Sequence, residues 1–293
     1  MDGKSGGEVE AAELAGLPHR VPARPLRPHD PRKVGDYQLI GRLGEGGMGR
    51  VYLARSGAGR LVAVKVIRDA LAEDSDFLRR FRGEVARARQ VPPFCTAEVL
   101  DADPDHDPPY LVVEFVDGPT LADVVERDGP LTPANLHGLA VGMAAALTAI
   151  HGAGVIHRDL KPSNVLLAPG TPKVIDFGIS RPVDGTMTNS TGNFVLGTVS
   201  YMSPERFGAD ASRTLSPAAD IFAWGAVVTF AGTGKVPFPA DSLAEIAMRI
   251  MTDPPELDGL TGTLRDLVER ALAKEPAQRP TARELLEQLT TAV

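Results

Sequence analysis

The feature that most constrains this chain is a change of period near Gly118. Before it, apolar residues come in short runs split by glycine-rich turns, at 37–43, 50–54, 61–67, 98–100 and 110–115. Runs of that length and spacing predict antiparallel strands. One stretch, 76–90, differs: Phe77, Phe81, Val85 and Ala88 recur at helical spacing and predict a helix. After Gly118, long helical patterns dominate, at 120–127, 133–152, 217–232, 241–252, 261–273 and 281–291. The expected class is α+β and bilobal: a small β-rich lobe over 36–117 with one key helix, then a larger, mainly helical lobe over 118–293, with a hinge at 115–118. A cleft between two such lobes is a natural place for a ligand. Residues 1–35 carry Pro18, Pro22, Pro25, Pro28 and Pro31 without apolar periodicity, which predicts a flexible, solvated tail.

Composition removes several classes of function. A formal net charge of −7 argues against wholesale nucleic-acid binding. Cys95 is the single cysteine, so no intrachain disulfide can form. The longest apolar runs, 139–150 and 221–233, fall short of the roughly 20 residues a membrane span needs and are expected to be buried core helices. The N-terminus lacks the apolar segment of a secretory signal. The expectation is a soluble, cytoplasmic chain, membrane-associated only as part of a longer protein.

The chemistry is concentrated in four places. Gly44, Gly46 and Gly49 lie in Gly44-Glu45-Gly46-Gly47-Met48-Gly49. Glycines at this spacing permit positive φ and close backbone approach, so a turn between strands can lay its N–H groups over phosphates. A dinucleotide-binding fingerprint has the same spacing but must open a helix. Here a strand-like run, Arg50-Val51-Tyr52-Leu53-Ala54, follows instead, and a plain hairpin turn is the competing reading. Lys65 ends Val62-Ala63-Val64-Lys65. A lysine in an apolar strand is costly unless paired, and Glu84 on the following helix is the candidate partner. The bland alternative is a strand-end lysine in solvent. The third and fourth clusters are His157-Arg158-Asp159-Leu160-Lys161-Pro162-Ser163-Asn164 and Asp176-Phe177-Gly178. Together, in this order, they are highly specific.

On these four motifs the sequence resembles the eukaryotic-type (Hanks-type) protein kinases, especially the bacterial serine/threonine kinases of actinomycetes, over about residues 36–290. The resemblance implies phosphoryl transfer from ATP to protein hydroxyls with Mg²⁺ or Mn²⁺. It implies that Gly44, Gly46 and Gly49 cover the ATP phosphates and that Lys65 contacts them while paired with Glu84. Asp159 would orient the acceptor hydroxyl and take its proton, Lys161 would neutralise the moving phosphoryl, and Asn164 and Asp176 would hold the metal. Adenine would lie between Val51 and Ala63 on one side and Leu166 on the other. The backbone of Glu114 and Val116 would meet its edge, with Val113 behind. All of these would pack a core in any case.

Further landmarks agree with the resemblance. Ser203-Pro204-Glu205 stands where the family usually has Ala-Pro-Glu, and Glu205 would pair with Arg279. Asp220 would anchor the catalytic loop, and Thr198 would hydrogen-bond near Asp159 and Lys161. Lys161 and Thr198 favour Ser/Thr over Tyr, and Ile179 favours a threonine acceptor. Ala88 is smaller than the residue many kinases carry there, which implies a loosely held Glu84 helix. Thr186, Thr188, Ser190 and Thr191 lie where such kinases are switched on, and Arg80, Arg158 and Arg181 would form a pocket for a phosphate on one of them. Protein substrates are implied as partners, and so is a homodimer through the small lobe, as in related kinases, although these residues alone do not establish it. A pseudokinase scaffold, a nucleotide-binding interaction module and a small-molecule kinase are the rival readings, which an assay of transfer to a protein acceptor separates.

Overall fold

Alternation of apolar residues builds the first unit, and a computed structural model describes residues 23–177, 196–207 and 215–291 of the chain. Six antiparallel strands form one sheet: β1 (Lys33–Val34), β2 (Tyr37–Gly46), β3 (Gly49–Arg55), β4 (Leu61–Ile67), β5 (Val99–Asp103) and β6 (Tyr110–Glu114). Their order in the sheet is β1-β2-β3-β4-β6-β5. Side chains alternate between the faces of a strand. Tyr52, Ala54, Val62, Val64, Val66, Tyr110 and Val112 therefore share one buried face. A single helical turn, α1 (Asp69–Ala72), leads into α2 (Ser75–Ala88). Asp74 caps α2 by accepting the amides of Asp76 and Phe77, and Phe77, Phe81, Glu84, Val85 and Ala88 are its buried stripe. The helix packs against β5.

The segment 24–34 departs from the expected solvated tail. Arg24 and Arg42 exchange backbone hydrogen bonds at 2.8 and 2.7 Å, and β1 pairs with β2. Val34 and Leu26 pack on the sheet face just described. That face is apolar and needs a cover, which outweighs the proline-rich composition of the segment. Residues 1–22, the rest of the predicted tail, lie outside the described residues.

The second unit comprises residues 90–96 and 118–293, so 90–96 fall outside the small lobe expected over 36–117. Residues 95 and 96 add to it through the Val174 amide on the Cys95 carbonyl at 2.9 Å and a bridge between Thr96 and Val174. Its elements are α3 (Leu121–Asp128), α4 (Pro133–Gly152), the small ribbon β7 (Val165–Leu166) and β8 (Lys173–Val174), α5 (Leu196–Val199), α6 (Ala218–Thr233), α7 (Leu243–Thr252), α8 (Gly262–Ala271) and α9 (Ala282–Thr291). Thr120 closes a capping box with Asp123, and Thr132 and Ser242 cap α4 and α7. The helices α4 and α6 form the core. Trp224 on α6 is fully buried and donates its indole N–H to the Ala140 carbonyl at 3.1 Å. By length and composition α4 could cross a membrane, but its packing against α6 and α9 accounts for its apolar character.

Candidate active site

In the first unit the glycine-rich segment is a hairpin: Gly46 at the end of β2 faces Gly49 at the start of β3, with Gly47 and Met48 at the tip. None of Gly44, Gly46 and Gly49 has a positive φ, so the expected need for left-handed backbone is not what selects glycine. Packing selects it at Gly49, where a Cβ would stand 1.9 Å from the Val66 carbonyl oxygen. At Gly44 and Gly46 a Cβ would meet nothing within 4 Å. There the backbone is bare, and an anion can approach its amides closely.

The register then fixes Lys65. Val51, Lys65 and Leu111 line up across β3, β4 and β6, and Leu53, Ala63 and Val113 form the next row. These two rows share the sheet face opposite Val62, Val64 and Val66. Val51 and Ala63, expected against adenine, and Lys65, expected at the phosphates, thus lie on one face. Glu84 in the same unit is 5% exposed on the buried stripe of α2. A carboxylate so deeply buried requires a cationic or hydrogen-bonding partner. Glu114 ends β6 with its amide on the Glu98 carbonyl at 2.8 Å, and Val116 is buried just beyond it.

In the second unit, Asp220 organises the loop around Asp159. It is 1% exposed. Its Oδ2 accepts the His157 amide at 2.7 Å and lies 2.8 Å from His151 Nε2, while Oδ1 accepts the Arg158 amide at 2.9 Å. These bonds hold Arg158 at a φ of 68°, a left-handed conformation that costs a non-glycine residue of order 1 kcal/mol or more. Arg206 secures the same residue by donating Nη1 to its carbonyl at 2.6 Å. Asp220 was legible in the sequence by resemblance; His151 and Arg206 were not, because neither stands in a recognisable motif.

His157 is fully buried, and burial pushes its pKa below the ordinary histidine range. It is therefore neutral, and its contacts fix the tautomer: Nδ1 accepts the Asp159 amide at 3.3 Å, so Nε2 donates to the Ile175 carbonyl at 3.1 Å. One ring thereby ties the loop around Asp159 to the residue before Asp176. Asp176 itself has a φ of 60°.

Around Asp159 three sequence candidates meet. Lys161 Nζ stands 3.0 Å from Asp159 Oδ2. Asn164 Nδ2 donates to the Asp159 carbonyl at 2.8 Å and makes a longer contact, 3.5 Å, to Oδ2. The Asn164 carbonyl accepts the Ile175 amide at 2.9 Å, which draws the start of β7 to the end of β8. With Nδ2 committed to Asp159, Oδ1 is the Asn164 side-chain atom left to accept or coordinate. An amide oxygen beside an aspartate is a hard donor set that fits a magnesium-type cation. Leu166, partly buried, follows in β7.

Thr198 lines a small cavity with Asp159 and Ser203 but, among the described residues, makes no side-chain hydrogen bond to the loop, contrary to expectation. The predicted pair of Glu205 and Arg279 is present and bidentate, at 2.9 and 2.9 Å. Arg80 lies on α2 of the first unit and Arg158 in the second. Gly178, Ile179, Arg181, Thr186, Thr188, Ser190 and Thr191 lie outside the described residues.

Comparison with known proteins agrees with this geometry. The profile described as "Protein kinase domain" matches residues 37–289. A protein of Thermomonospora curvata named "Probable serine/threonine-protein kinase PkwA" is 49% identical over 267 residues, 91% of this chain and 35% of that one. Serine/threonine-protein kinase AfsK of Streptomyces coelicolor is 46% identical over 264 residues, 90% of this chain and 33% of that one. Serine/threonine-protein kinase PknB of Mycobacterium tuberculosis is 38% identical over 256 residues, 83% and 40% of the two chains. The chain thus spans about a third of the length of the first two relatives and two fifths of the third. Profile and relatives together establish that this chain belongs to the protein kinase domain family, in its bacterial serine/threonine branch.

Proposed function

We propose that this chain transfers the γ-phosphoryl group of ATP to serine or threonine hydroxyls of proteins. The observation that carries the reading is the Asp159 carboxylate with Lys161 Nζ at 3.0 Å, held in a loop that Asp220, His157 and Arg206 fix by hydrogen bonds. Phosphoryl transfer needs alignment of the nucleophile and compensation of charge on the transferring group more than covalent chemistry. Asp159 supplies the first by accepting a hydrogen bond from the acceptor hydroxyl and taking its proton. Lys161 supplies part of the second. Lys65, which the resemblance pairs with Glu84, would meet the α- and β-phosphate oxygens, and the bare amides at Gly44 and Gly46 would cover the phosphates. By the resemblance, Val51 and Ala63 of the first unit and Leu166 of the second would supply apolar surface to adenine, and the backbone at Glu114 and Val116 its hydrogen bonds. Asn164 and Asp176 would hold Mg²⁺ or Mn²⁺, whose positive charge neutralises phosphate oxygens. Incubation of the purified chain with γ-labelled ATP and a generic basic protein acceptor tests the reading: label on Ser or Thr is expected, and its absence at every divalent metal tried removes it.

Metal dependence follows from the oxygen donors. Exhaustive chelation is expected to abolish transfer, with recovery on adding Mg²⁺ or Mn²⁺, and Asp176→Ala is expected to lose metal-supported ATP binding in calorimetry. Undiminished transfer after chelation would contradict the roles given to Asn164 and Asp176.

The same reading extends to regulation. Arg158 precedes Asp159, and Arg80 and Arg181 complete the set of arginines to which the resemblance assigns a bound phosphate. Autophosphorylation at one or more of Thr186, Thr188, Ser190 and Thr191 is expected, with Thr191 first because it is nearest Gly197-Thr198. Peptide mass spectrometry after incubation with Mg·ATP should find the phosphate. A variant with all four changed to Ala should lose most activity; full activity in that variant, with no phosphate in wild type, discards the switch.

A further inference from the structure

The segment 24–34 does more than cover apolar surface. It carries a buried carboxylate, Asp30, whose side chain is 1% exposed. Asp30 accepts the Tyr52 hydroxyl at 2.9 Å and the Arg27 amide at 2.7 Å, and it pairs with Arg42 Nε at 3.5 Å. Burial by itself would raise this carboxyl, but the Arg27 amide, the Tyr52 hydroxyl and Arg42 outweigh it and hold it below the ordinary aspartate range. Asp30 is thus an anion at neutral pH. The side chain of Arg42 is 7% exposed and joins two carboxylates, donating Nη2 to Glu45 Oε2 at 3.0 Å. Arg42 Nη1 is buried without a hydrogen-bond partner, so Asp30 and Glu45 are the only carboxylates it has among the described residues.

Glu45 stands between Gly44 and Gly46 in the hairpin read above as the phosphate cover. It is the one long side chain in the run Gly44-Glu45-Gly46-Gly47, where glycine leaves the backbone unusually free. Its carboxylate collects four guanidinium groups: Arg42 at 3.0 Å, Arg68 at 3.5 Å, Arg50 at 3.6 Å and Arg27, from the segment itself, at 3.9 Å. The exposed pairs are individually weak. The Asp30–Arg42 link differs, because both side chains are desolvated and Asp30 is also held by two hydrogen bonds, from the Arg27 amide and the Tyr52 hydroxyl, which fixes its geometry.

We infer that residues 24–34 form a strap that positions the glycine-rich tip, and that Asp30, Arg42 and Glu45 are the relay, making them positioning residues for nucleotide binding. The ordinary alternative is a strap that only stabilises the sheet. The two differ in what they touch: a stabiliser ends at the sheet face, whereas this relay ends on the carboxylate between two glycines of the tip. Without the relay the tip samples more conformations, and the nucleotide must order it on binding, which lowers affinity. This inference rests on the ATP-binding reading of the hairpin.

The test uses the full chain and three variants, Asp30→Asn, Glu45→Gln and the double variant. Binding of a non-hydrolysable Mg·ATP analogue to wild type is measured first. No binding there removes the ATP reading itself; binding there leaves that reading standing and lets the variants decide the strap. In Asp30→Asn, KM for ATP is expected to rise about fivefold or more, with kcat moving less than KM. Amides 44–49 are expected to exchange hydrogen faster. Glu45→Gln, exposed and safe for folding, should raise KM similarly, and the double variant should be no worse than the poorer single one, since both break one chain of contacts. An unchanged KM and unchanged exchange at the tip in Asp30→Asn, even with a lowered melting temperature, overturns the inference. Shifts in KM that add in the double variant overturn it as well, because they place the two residues in separate roles.

Discussion

Asp159→Asn is expected to lower kcat by roughly a hundredfold to ten-thousandfold, with the fold intact. The substitution keeps the shape of the side chain and replaces a proton-accepting oxygen by an amide. It also removes the negative charge that Lys161 Nζ meets at 3.0 Å. The scaffold of the loop should survive, because the bonds that build it use other atoms: the Asp159 amide on His157, the Asp159 carbonyl under Asn164 and the Asp220 carboxylate under His157 and Arg158. KM for ATP should change much less than kcat, since the interaction lost belongs to the transition state. Single-turnover measurement of labelled phosphate transfer, beside a thermal melt, checks this. A folded variant that keeps more than about a tenth of wild-type turnover would remove Asp159 from the role given to it.

Arg279→Met is expected to cause the largest loss of stability, about 3–5 kcal/mol, or on the order of 10 °C in melting temperature. A guanidinium has five N–H donors, and in Arg279 all five are used. Nε donates to the Ala273 carbonyl at 2.8 Å, Nη1 to Glu205 and Ala218, and Nη2 to Glu205 and Lys274, while the group stacks over Phe222 at 5.2 Å. The Arg279 side chain has no exposure and that of Glu205 has 9%. Removing the cation leaves a buried carboxylate and three carbonyls without their donor. Arg279→Lys should recover little, because a point ammonium cannot span five acceptors in a plane. Calorimetric melts of both variants decide the matter. A melt of Arg279→Met within about 2 °C of wild type would show that the site repacks and that the pair is dispensable.

The two predictions differ in how visible their residues were beforehand. Asp159, Lys161 and Asn164 lie within six residues of one another, so local spacing alone brought them into one motif, and the structure joins them through one carboxylate. The strands and helices were also legible, because alternation and helical spacing follow from burying one side of an element. Glu205 and Arg279 are 74 positions apart. Only resemblance suggested that pair, and no periodicity could have counted the carbonyls that converge on Arg279.

The sequence by itself determined the longer strands and helices of both units, the α+β class, the family and the motif around Asp159, since each rests on contacts between near neighbours or on a pattern of burial. Tertiary structure alone decided three things. It showed that Gly49 is glycine because the Val66 carbonyl stands against it, and not because of its backbone angle. It showed that His151 and Arg206, silent in the sequence, complete the hold on the strained backbone at Arg158. And it turned a proline-rich stretch that reads as tail into a strap, because the apolar sheet face of Tyr52, Val64 and Tyr110 needs a cover and Asp30 finds Tyr52 and Arg42 beneath it. Each of these depends on which distant groups arrive at one place, and that is set by chain topology, which no local pattern of residues encodes.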